Sequence, residues 1–139
     1  MGSGKDVWNE FERLTNQQEV AATASLFGDD AVYIEPGRRH EGQAAIAAYL
    51  SESAPGFSDN RMETILLVED GDTFVAEWHY RGTIVGGGTF QGEAETSIGR
   101  TLDFSGVSVG TVKDGKFAIL RDYYDAMQVM QQLGLLPAS

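Results

Sequence analysis

Residues 113–137 read KDGKFAILRDYYDAMQVMQQLGLLP, and this closing stretch decides the fold. Asp114-Gly115 predicts a tight hairpin turn, because both central residues of a type I′ turn need φ > 0. Residues 117–124, rich in aromatic and branched side chains, are typical of a strand. Asp125 is placed to cap a helix that ends at Gly134. The chain is therefore expected to close with a hairpin, a strand and a short helix.

An acidic residue on the inner face of that strand is the main functional signal. Side chains alternate between the two faces of a strand. They divide into Leu120, Asp122 and Tyr124 on one face and Ile119, Arg121 and Tyr123 on the other. A carboxyl group buried between a leucine and a tyrosine would have a raised pKa and could shuttle a proton near neutral pH. The alternative is a structural aspartate satisfied by tyrosine hydroxyls or backbone amides.

Composition restricts the kinds of partner. The 139 residues suit one domain, with residues 1–5 expected to be disordered or a cloning remnant. A net charge of −11 argues against a nucleic-acid or anionic membrane partner. The lack of cysteine excludes disulfides and thiol catalysis. No apolar run has transmembrane length and no signal peptide is evident, so a cytoplasmic location is expected.

The remaining chain is predicted to contain helices first and strands afterwards. Helices are expected at 7–14 with a cap near Asp6, from an Asn16/Glu19 capping box to about 27, and at 42–50. A strand is expected at 31–35, a loop at 51–60, and further strands at 62–68, 73–83 and 98–112. This order predicts an α+β fold, with three N-terminal helices packed on one face of a curved, mostly antiparallel sheet and a short C-terminal helix.

Small residues on strand 98–112 suggest a cavity. Phe104, Gly106, Ser108 and Gly110 share its inner face, and glycines in a strand mark bends or close approach. A bent sheet closed by helices would enclose a small-molecule pocket, unless large helix residues fill the space. The glycine-rich segment 85–97 is interpreted as a mobile flap over this pocket.

Other candidate residues follow from strand alternation. Trp78 and Tyr80 fall on the apolar face of strand 73–83, where they would stack on a flat substrate or simply form core. His79 falls on the outer face, and His40 is expected at the surface. Tyr33 and Glu35 share a face of the first strand, so Glu35 is either a second acid near Asp122 or an exposed strand-end residue.

Nothing in the sequence indicates a metal or nucleotide site. The two histidines are far apart, with no carboxylates at ligand spacing near them. No dinucleotide fingerprint, phosphate loop or nucleophile elbow occurs. Apolar side chains on the outer sheet face, Val107, Val109 and Tyr123, predict a homodimer.

Several segments resemble a known superfamily. The strand ending in YIEPG, then WHYRGT, GRTLDFSGV, DGKF and DYYDAMQVMQQLGLL, are similar to SnoaL-like polyketide cyclases within the nuclear-transport-factor-two-like fold. The resemblance implies a cone-shaped α+β barrel with a strongly curved, mostly antiparallel sheet. It further implies a homodimer of such cavity-bearing barrels without metal or organic cofactor. It also implies ring closure of a polyketide by intramolecular aldol condensation, with an aspartate as general acid/base.

Asp122 matches that aspartate, and limonene-epoxide hydrolases carry an acid at the same position. Two features depart from these relatives. The hydrolases have an Arg and a second Asp where this chain has Trp78 and Tyr80, and the cyclases have a histidine at the position of Ser108.

The sequence therefore predicts a cofactor-free enzyme for a small hydrophobic or aromatic substrate, cyclising or isomerising a polyketide-like carbonyl compound. Epoxide opening and non-catalytic binding of a lipophilic ligand are the alternatives. The predicted catalytic residues are Asp122, Glu35 and Tyr80, and the predicted substrate contacts are Tyr33, Trp78, Phe104, Ser108, Leu120 and Tyr124.

Overall fold

A computed structural model describes residues 3–53, 56–86 and 97–135. The helices are α1 (Gly4–Asn16), α2 (Val20–Ala24), α3 (Gln43–Ser53) and α4 (Ala126–Gln132). The strands are β1 (Phe27–Glu35), β2 (Arg38–Glu41), β3 (Gly56–Asp70), β4 (Thr73–Gly86), β5 (Thr101–Lys113) and β6 (Lys116–Tyr124).

The six strands form one curved, open sheet in the order β2-β1-β6-β5-β4-β3. All neighbours are antiparallel except β1 and β6, which run parallel. Helices α1 and α3 pack on this sheet. The predicted α+β class, with a strongly curved and mostly antiparallel sheet, is confirmed.

The closing hairpin forms as the sequence indicates. Asp114 and Gly115 both have positive φ, at 54° and 77°, as a type I′ turn requires. Asp125 caps α4 by accepting a hydrogen bond from the backbone N–H of Gln128. Gly134, with φ of 78°, follows the end of that helix. This hairpin places β6 at the centre of the sheet, between β1 and β5.

A cluster of aromatic rings joins α1 to the concave face of the sheet. Phe117 is fully buried, and its ring centroid lies 5.7 Å from that of Phe11, 5.1 Å from Phe27 and 5.8 Å from Phe74. These rings come from α1, β1, β4 and β6, which are distant in sequence. Such contacts hold the sheet and helices together through buried aromatic area.

The glycines of β5 do not leave the space predicted for them. A Cβ on Gly110 would lie 2.5 Å from the ring of Phe74, and one on Gly106 would lie 2.5 Å from the ring of Trp78. Aromatic side chains of β4 therefore lie over both glycines. Glycine at these positions admits a large neighbour on the adjacent strand, and the cavity lies elsewhere along the concave face.

The predicted ends of the first two helices are wrong. Ser3 is the N-cap of α1 and forms a capping box with Asp6, which therefore sits one turn inside the helix. Asn16 instead bonds the backbone N–H and C=O of Met62 on β3. Glu19 precedes α2 without a side-chain cap, so the predicted Asn16/Glu19 box does not form.

The structure differs from the prediction in three other places. The expected loop at 51–60 is instead the end of α3 and the start of β3, with residues 54 and 55 outside the described part. Strand β2 was not predicted and follows the turn at Pro36-Gly37. Of the expected disordered residues 1–5, residues 3–5 form the cap and first turn of α1.

The proposed flap falls mostly on residues 87–96, which lie outside the described residues.

Candidate functional site

A cavity of about 230 Å³ lies between the concave sheet face and helices α1 to α3. Its wall is dominated by aromatic rings: Trp8, Phe11, Tyr33, Tyr49, Phe57, Trp78, Tyr80, Phe104 and Tyr124. Asp122 and Glu35 both line this wall, whereas no lysine, arginine or histidine of the described residues does. An apolar cavity with a few convergent polar groups is the usual form of a small-molecule site.

The structure brings eight of the nine predicted site residues to this cavity. They are Asp122, Glu35, Tyr80, Tyr33, Trp78, Phe104, Ser108 and Tyr124. Leu120 is the exception, because it is fully buried in the core and does not line the cavity. Its predicted contact with substrate is therefore wrong. Leu120 pairs with Gly110, which places it in the layer occupied by Phe74.

Asp122 is held by one hydrogen bond to each carboxylate oxygen. Ser108, its register partner on β5, donates its hydroxyl to Oδ1 at 2.6 Å. Tyr33 on β1 donates its hydroxyl to Oδ2 at 2.7 Å. Trp78 Nε1 in turn donates to Ser108 Oγ at 2.9 Å, which directs the serine proton toward the aspartate. The carboxyl group is thus fixed in orientation by three strands.

Burial is the main influence on the pKa of Asp122. It raises the pKa of Asp122 to about 6, although the hydrogen bonds from Ser108 and Tyr33 act in the opposite direction. Burial removes solvation from the charged form, whereas donated hydrogen bonds stabilise it. A carboxyl group with such a pKa can take up and release a proton near neutral pH.

Glu35 is a second buried acid on the same cavity. Burial raises its pKa to about 7, opposed by a hydrogen bond with Tyr49, while the charge of Asp122 raises it further and Arg38 lowers it. Arg38 Nη1 also donates to the Tyr49 hydroxyl at 3.1 Å. Because the charge of Asp122 is among the causes that raise the pKa of Glu35, the two acids titrate as a coupled pair, and ionisation of one favours protonation of the other.

The tyrosines of the cavity remain protonated at neutral pH. Burial is the leading cause that raises the pKa of Tyr80, Tyr124 and Tyr49 above the usual range, and the same holds for Tyr33. Their hydroxyls can therefore donate hydrogen bonds to a bound oxygen atom. Tyr80 is hydrogen-bonded to Asn60, which fixes its hydroxyl near β3.

The two histidines lie in different environments. His79 is on the outer sheet face, where its ring nitrogens contact Ser105 Oγ at 2.9 Å and Asp103 Oδ1 at 2.8 Å. His40 was expected at the surface, and it is only partly exposed. Its ring stacks on Tyr49 with a centroid distance of 3.9 Å, and its Nε2 is buried. Strand β2 turns Arg38 and His40 inward and leaves Arg39 and Glu41 as an exposed pair.

Sequence reasoning missed the part of the wall that the helices supply. Trp8, Phe11, Tyr49 and Leu50 line the cavity from α1 and α3. The spacing of apolar residues predicted helices there, but it cannot distinguish a cavity wall from a filled core. The four residues of β2 are all polar, so no hydrophobic alternation marked this strand in the sequence.

Neither a metal site nor a membrane span is found in the described ranges. No group of three or more His, Asp or Glu side chains within residues 3–53, 56–86 and 97–135 is arranged to hold a metal ion. In that same part of the chain, every helix is too short or too polar to cross a bilayer.

Solved structures with this architecture define the class of fold. A hypothetical protein from Catenulispora acidiphila with a ketosteroid isomerase-like fold, in complex with trimethylamine, has a TM-score of 0.75 at 15% identity, covering 97% of this chain and 96% of that one. An epoxide hydrolase from M. tuberculosis, similar to the limonene-epoxide enzymes, has a TM-score of 0.69 at 21% identity, covering 91% and 86%. A putative isomerase from Bacillus subtilis has a TM-score of 0.69 at 22% identity, covering 94% and 91%. The fold is therefore nuclear-transport-factor-two-like.

The chain belongs to the SnoaL-like domain family, which matches residues 8–119. The predicted family is thus confirmed. The match ends just before Asp122, so it covers Glu35 and Ser108 but not the aspartate. No curated protein sequence matches the chain significantly.

Proposed function

We propose that this protein is an enzyme that cyclises or isomerises a small, polyketide-like carbonyl compound by acid–base catalysis. The observation that carries the proposal is the pair of buried carboxyl groups, Asp122 and Glu35, on one aromatic cavity. An aromatic wall suits a flat apolar substrate. Paired acids with different pKa values suit proton removal and proton donation within one site.

The roles follow from the surroundings of the two acids. Asp122 accepts hydrogen bonds from Ser108 and Tyr33, which stabilise its charged form, so it is the base that removes a proton from the carbon next to the substrate carbonyl. Glu35, whose pKa is raised by burial and by the charge of Asp122, remains protonated and donates its proton to the carbonyl oxygen, giving an enol. In an isomerisation the proton on Asp122 returns to a different carbon. In both reactions the enol O–H returns its proton to Glu35 as the carbonyl re-forms. In an aldol closure the enol carbon attacks a second carbonyl, Glu35 then protonates the new alkoxide oxygen and ends as a carboxylate, and Asp122 keeps the proton taken from carbon.

Aromatic side chains orient the substrate for these steps. The ring centroids of Trp78 and Tyr124 lie 5.6 Å and 5.4 Å from that of Phe104, so these three rings form one apolar surface beside Asp122. Tyr80, on the same wall, offers a hydroxyl to a substrate oxygen. The volume of about 230 Å³ is at the small end for ligand sites, which favours substrates of one or two rings.

Deuterium incorporation tests the proposal without knowledge of the natural substrate. β-Tetralone, a two-ring ketone, is incubated with the protein in deuterium oxide and followed by proton NMR. We expect loss of the signal from the carbon-bound protons next to the carbonyl at a rate above buffer, because the enol takes up solvent deuterium when it returns to the ketone. A rate equal to buffer across one- and two-ring ketones would contradict the proposal.

Epoxide opening is the competing reaction to separate. The oxygen label in product formed in oxygen-labelled water distinguishes epoxide hydrolysis from ring closure. Hydrolysis of an epoxide adds one solvent oxygen, whereas ring closure of a carbonyl compound adds none. Label in the product of an epoxide substrate, without deuterium exchange into ketones, would favour the hydrolase.

The rate of the reaction should have a narrow pH maximum. Activity requires Asp122 ionised and Glu35 protonated, so it should rise as pH increases through about 6 and fall as pH increases through about 7. The pKa values of the rising and falling limbs describe the coupled pair of acids and not either residue alone. The initial rate of deuterium incorporation between pH 4 and 9 measures this profile. In Glu35→Gln the falling limb should disappear, and a wild-type rate that keeps rising above pH 8 would contradict the assignment.

We also propose that the outer sheet face forms a homodimer. Two rows of paired residues cross four strands there, Leu66-Glu77-Val107-Tyr123 and Val68-Val75-Val109-Arg121. Leu66, Val68 and Tyr123 are 53%, 47% and 57% exposed. An exposed apolar patch of this kind is typical of an interface.

The oligomeric mass tests the dimer. Light scattering at micromolar concentration should give twice the chain mass for the wild type, and Tyr123→Glu should shift the protein toward one chain because it places a charge in the apolar face. Met127→Glu is the matched control, since Met127 is equally exposed but lies on α4. A wild-type mass of one chain would contradict the interface.

A further inference from the structure

Two buried polar atoms behind the cavity wall have no hydrogen-bond partner. Among the described residues, the buried side-chain atoms without one are Glu35 Oε1 and His40 Nε2. These two atoms face each other at 3.9 Å, across the hairpin that joins β1 and β2. Unpartnered buried polar atoms are costly and rare, so two of them facing each other need a reason.

The positions of the two residues suggest what the pair does. Glu35 lines the cavity, whereas His40 does not. The side chain of Glu35 is 9% exposed and that of His40 is 19% exposed, although its Nε2 is buried. The imidazole therefore reaches from the protein surface to the back of the cavity acid. Stacking on Tyr49 holds the ring in that position.

We propose that His40 is a proton relay, which returns a proton from solvent to Glu35 whenever an aldol closure or the release of an enol leaves Glu35 as a carboxylate. This inference rests on the proposed acid role of Glu35. Imidazole suits the task because it can accept a proton on one nitrogen and release one from the other. An approach of about 1 Å between the side chains would bring Nε2 within hydrogen-bond distance of Oε1.

The proton balance of the relay is simple. Glu35 gives its proton to the substrate oxygen and becomes a carboxylate. His40 takes a proton from solvent on Nδ1, and the resulting imidazolium passes the Nε2 proton to Oε1 of Glu35. Glu35 is then protonated again, and His40 is neutral with its proton on Nδ1, so exchange with solvent must restore the Nε2–H tautomer before the next transfer. One solvent proton is consumed, and the proton that Asp122 removed from carbon returns to solvent.

The charges around His40 keep it neutral between transfers. Glu35 and Tyr33 face it from β1, Arg38 lies beside it on β2, and Tyr49 faces it from α3. Burial first, and then the charge of Arg38, lower the pKa of His40. An imidazolium whose pKa is lowered releases its extra proton readily, and the newly formed Glu35 carboxylate attracts that proton.

Titration of the two groups tests the link directly. Histidine is labelled with nitrogen-15, and since the chain has two histidines, His79→Gln assigns the spectrum. Glu35 keeps its proton up to about pH 7 and the pKa of His40 is lowered, so Glu35 is already neutral when His40 titrates and Glu35→Gln should leave the His40 midpoint unchanged. His40→Lys should instead lower the midpoint of the carbon-13-labelled Glu35 carboxyl group, because it places a permanent positive charge beside Oε1. A Glu35 midpoint that does not move in His40→Lys would overturn the relay.

The turnover rate supplies a second readout. Each enol released to solvent leaves Glu35 without its proton, so His40→Gln should slow deuterium incorporation into β-tetralone by about tenfold. Added imidazole should restore the rate, and His79→Gln should leave it unchanged. Wild-type rates in His40→Gln would overturn the relay and leave the proposed function intact. A lowered Glu35 midpoint in His40→Lys, without deuterium incorporation in the wild type, would instead support the His40–Glu35 link and contradict the proposed function.

Discussion

Asp122→Asn should reduce turnover by about 10²–10⁴-fold while the protein remains folded. The asparagine side chain cannot accept the substrate proton, so the base is lost. The rate of deuterium incorporation into β-tetralone measures the effect. Asp103→Asn is the matched control, because Asp103 pairs with His79 and Arg81 on the outer sheet face, away from the cavity.

The variant should fold because its hydrogen bonds can be rearranged. Asparagine keeps one carbonyl oxygen, which can accept the bond from Ser108. Its amide group replaces Oδ2 and can donate to the Tyr33 hydroxyl, which served as donor to the carboxylate. A hydroxyl both donates and accepts, so Tyr33 and residue 122 remain hydrogen-bonded. A wild-type rate in folded Asp122→Asn would exclude Asp122 as the base.

The same variant should be more stable than the wild type at neutral pH. The pKa of Asp122 is raised in the folded protein from an ordinary 3.8 to about 6, so the folded state holds the proton more tightly than the unfolded state. Wild-type stability is therefore lost as pH rises from about 4 to about 6. Asparagine removes this penalty, on the order of 1–3 kcal/mol. Urea unfolding at pH 4 and 7 measures it, and an equal difference between the proteins at both pH values would contradict the raised pKa.

Phe117→Ala should lower the free energy of unfolding by about 3–5 kcal/mol. Phe117 is fully buried and contacts aromatic rings from α1, β1 and β4. Removing its ring leaves a cavity at the point where the sheet and α1 meet, and three neighbouring rings lose their contacts. Urea unfolding followed by circular dichroism measures the loss.

Met127→Ala is the control for the core substitution. Met127 is 62% exposed on α4, so its truncation should change the free energy of unfolding by less than about 0.5 kcal/mol. A comparable loss in both variants would indicate that the aromatic cluster around Phe117 is not the main core.

Local chemistry explains the parts of the fold that the sequence predicted well. The Asp114-Gly115 turn, the Asp125 cap and the alternation along β6 depend on residues close together in the chain. The errors occurred where a distant partner outweighed a local signal. Asn16 resembles a helix cap, yet it bonds the backbone of Met62, which lies 46 residues away. Strand β2 has four residues and depends on pairing with β1.

The candidate site also divides into features set by neighbouring residues and features set by distant partners. Alternation alone placed Asp122, Tyr33, Trp78 and Tyr80 on inward faces, because a strand has a strict period of two. It could not show that the Ser108 hydroxyl, held by Trp78, points at Asp122, since that geometry depends on the register of β4, β5 and β6. Nor could it place Leu120 in the core, because inward faces include both core and cavity wall.

The sequence by itself determined the class of fold, the closing hairpin and the inward position of the acid, since each follows from backbone preferences and side-chain period. Only the tertiary structure decided that Trp78 and Phe74 occupy the space over the β5 glycines, that helices supply much of the cavity wall, and that His40 lies behind Glu35. The physical reason is that packing and desolvation depend on which side chains meet in space. Residues 35 and 122 acquire raised pKa values only when strands far apart in the chain bring them to one dry cavity.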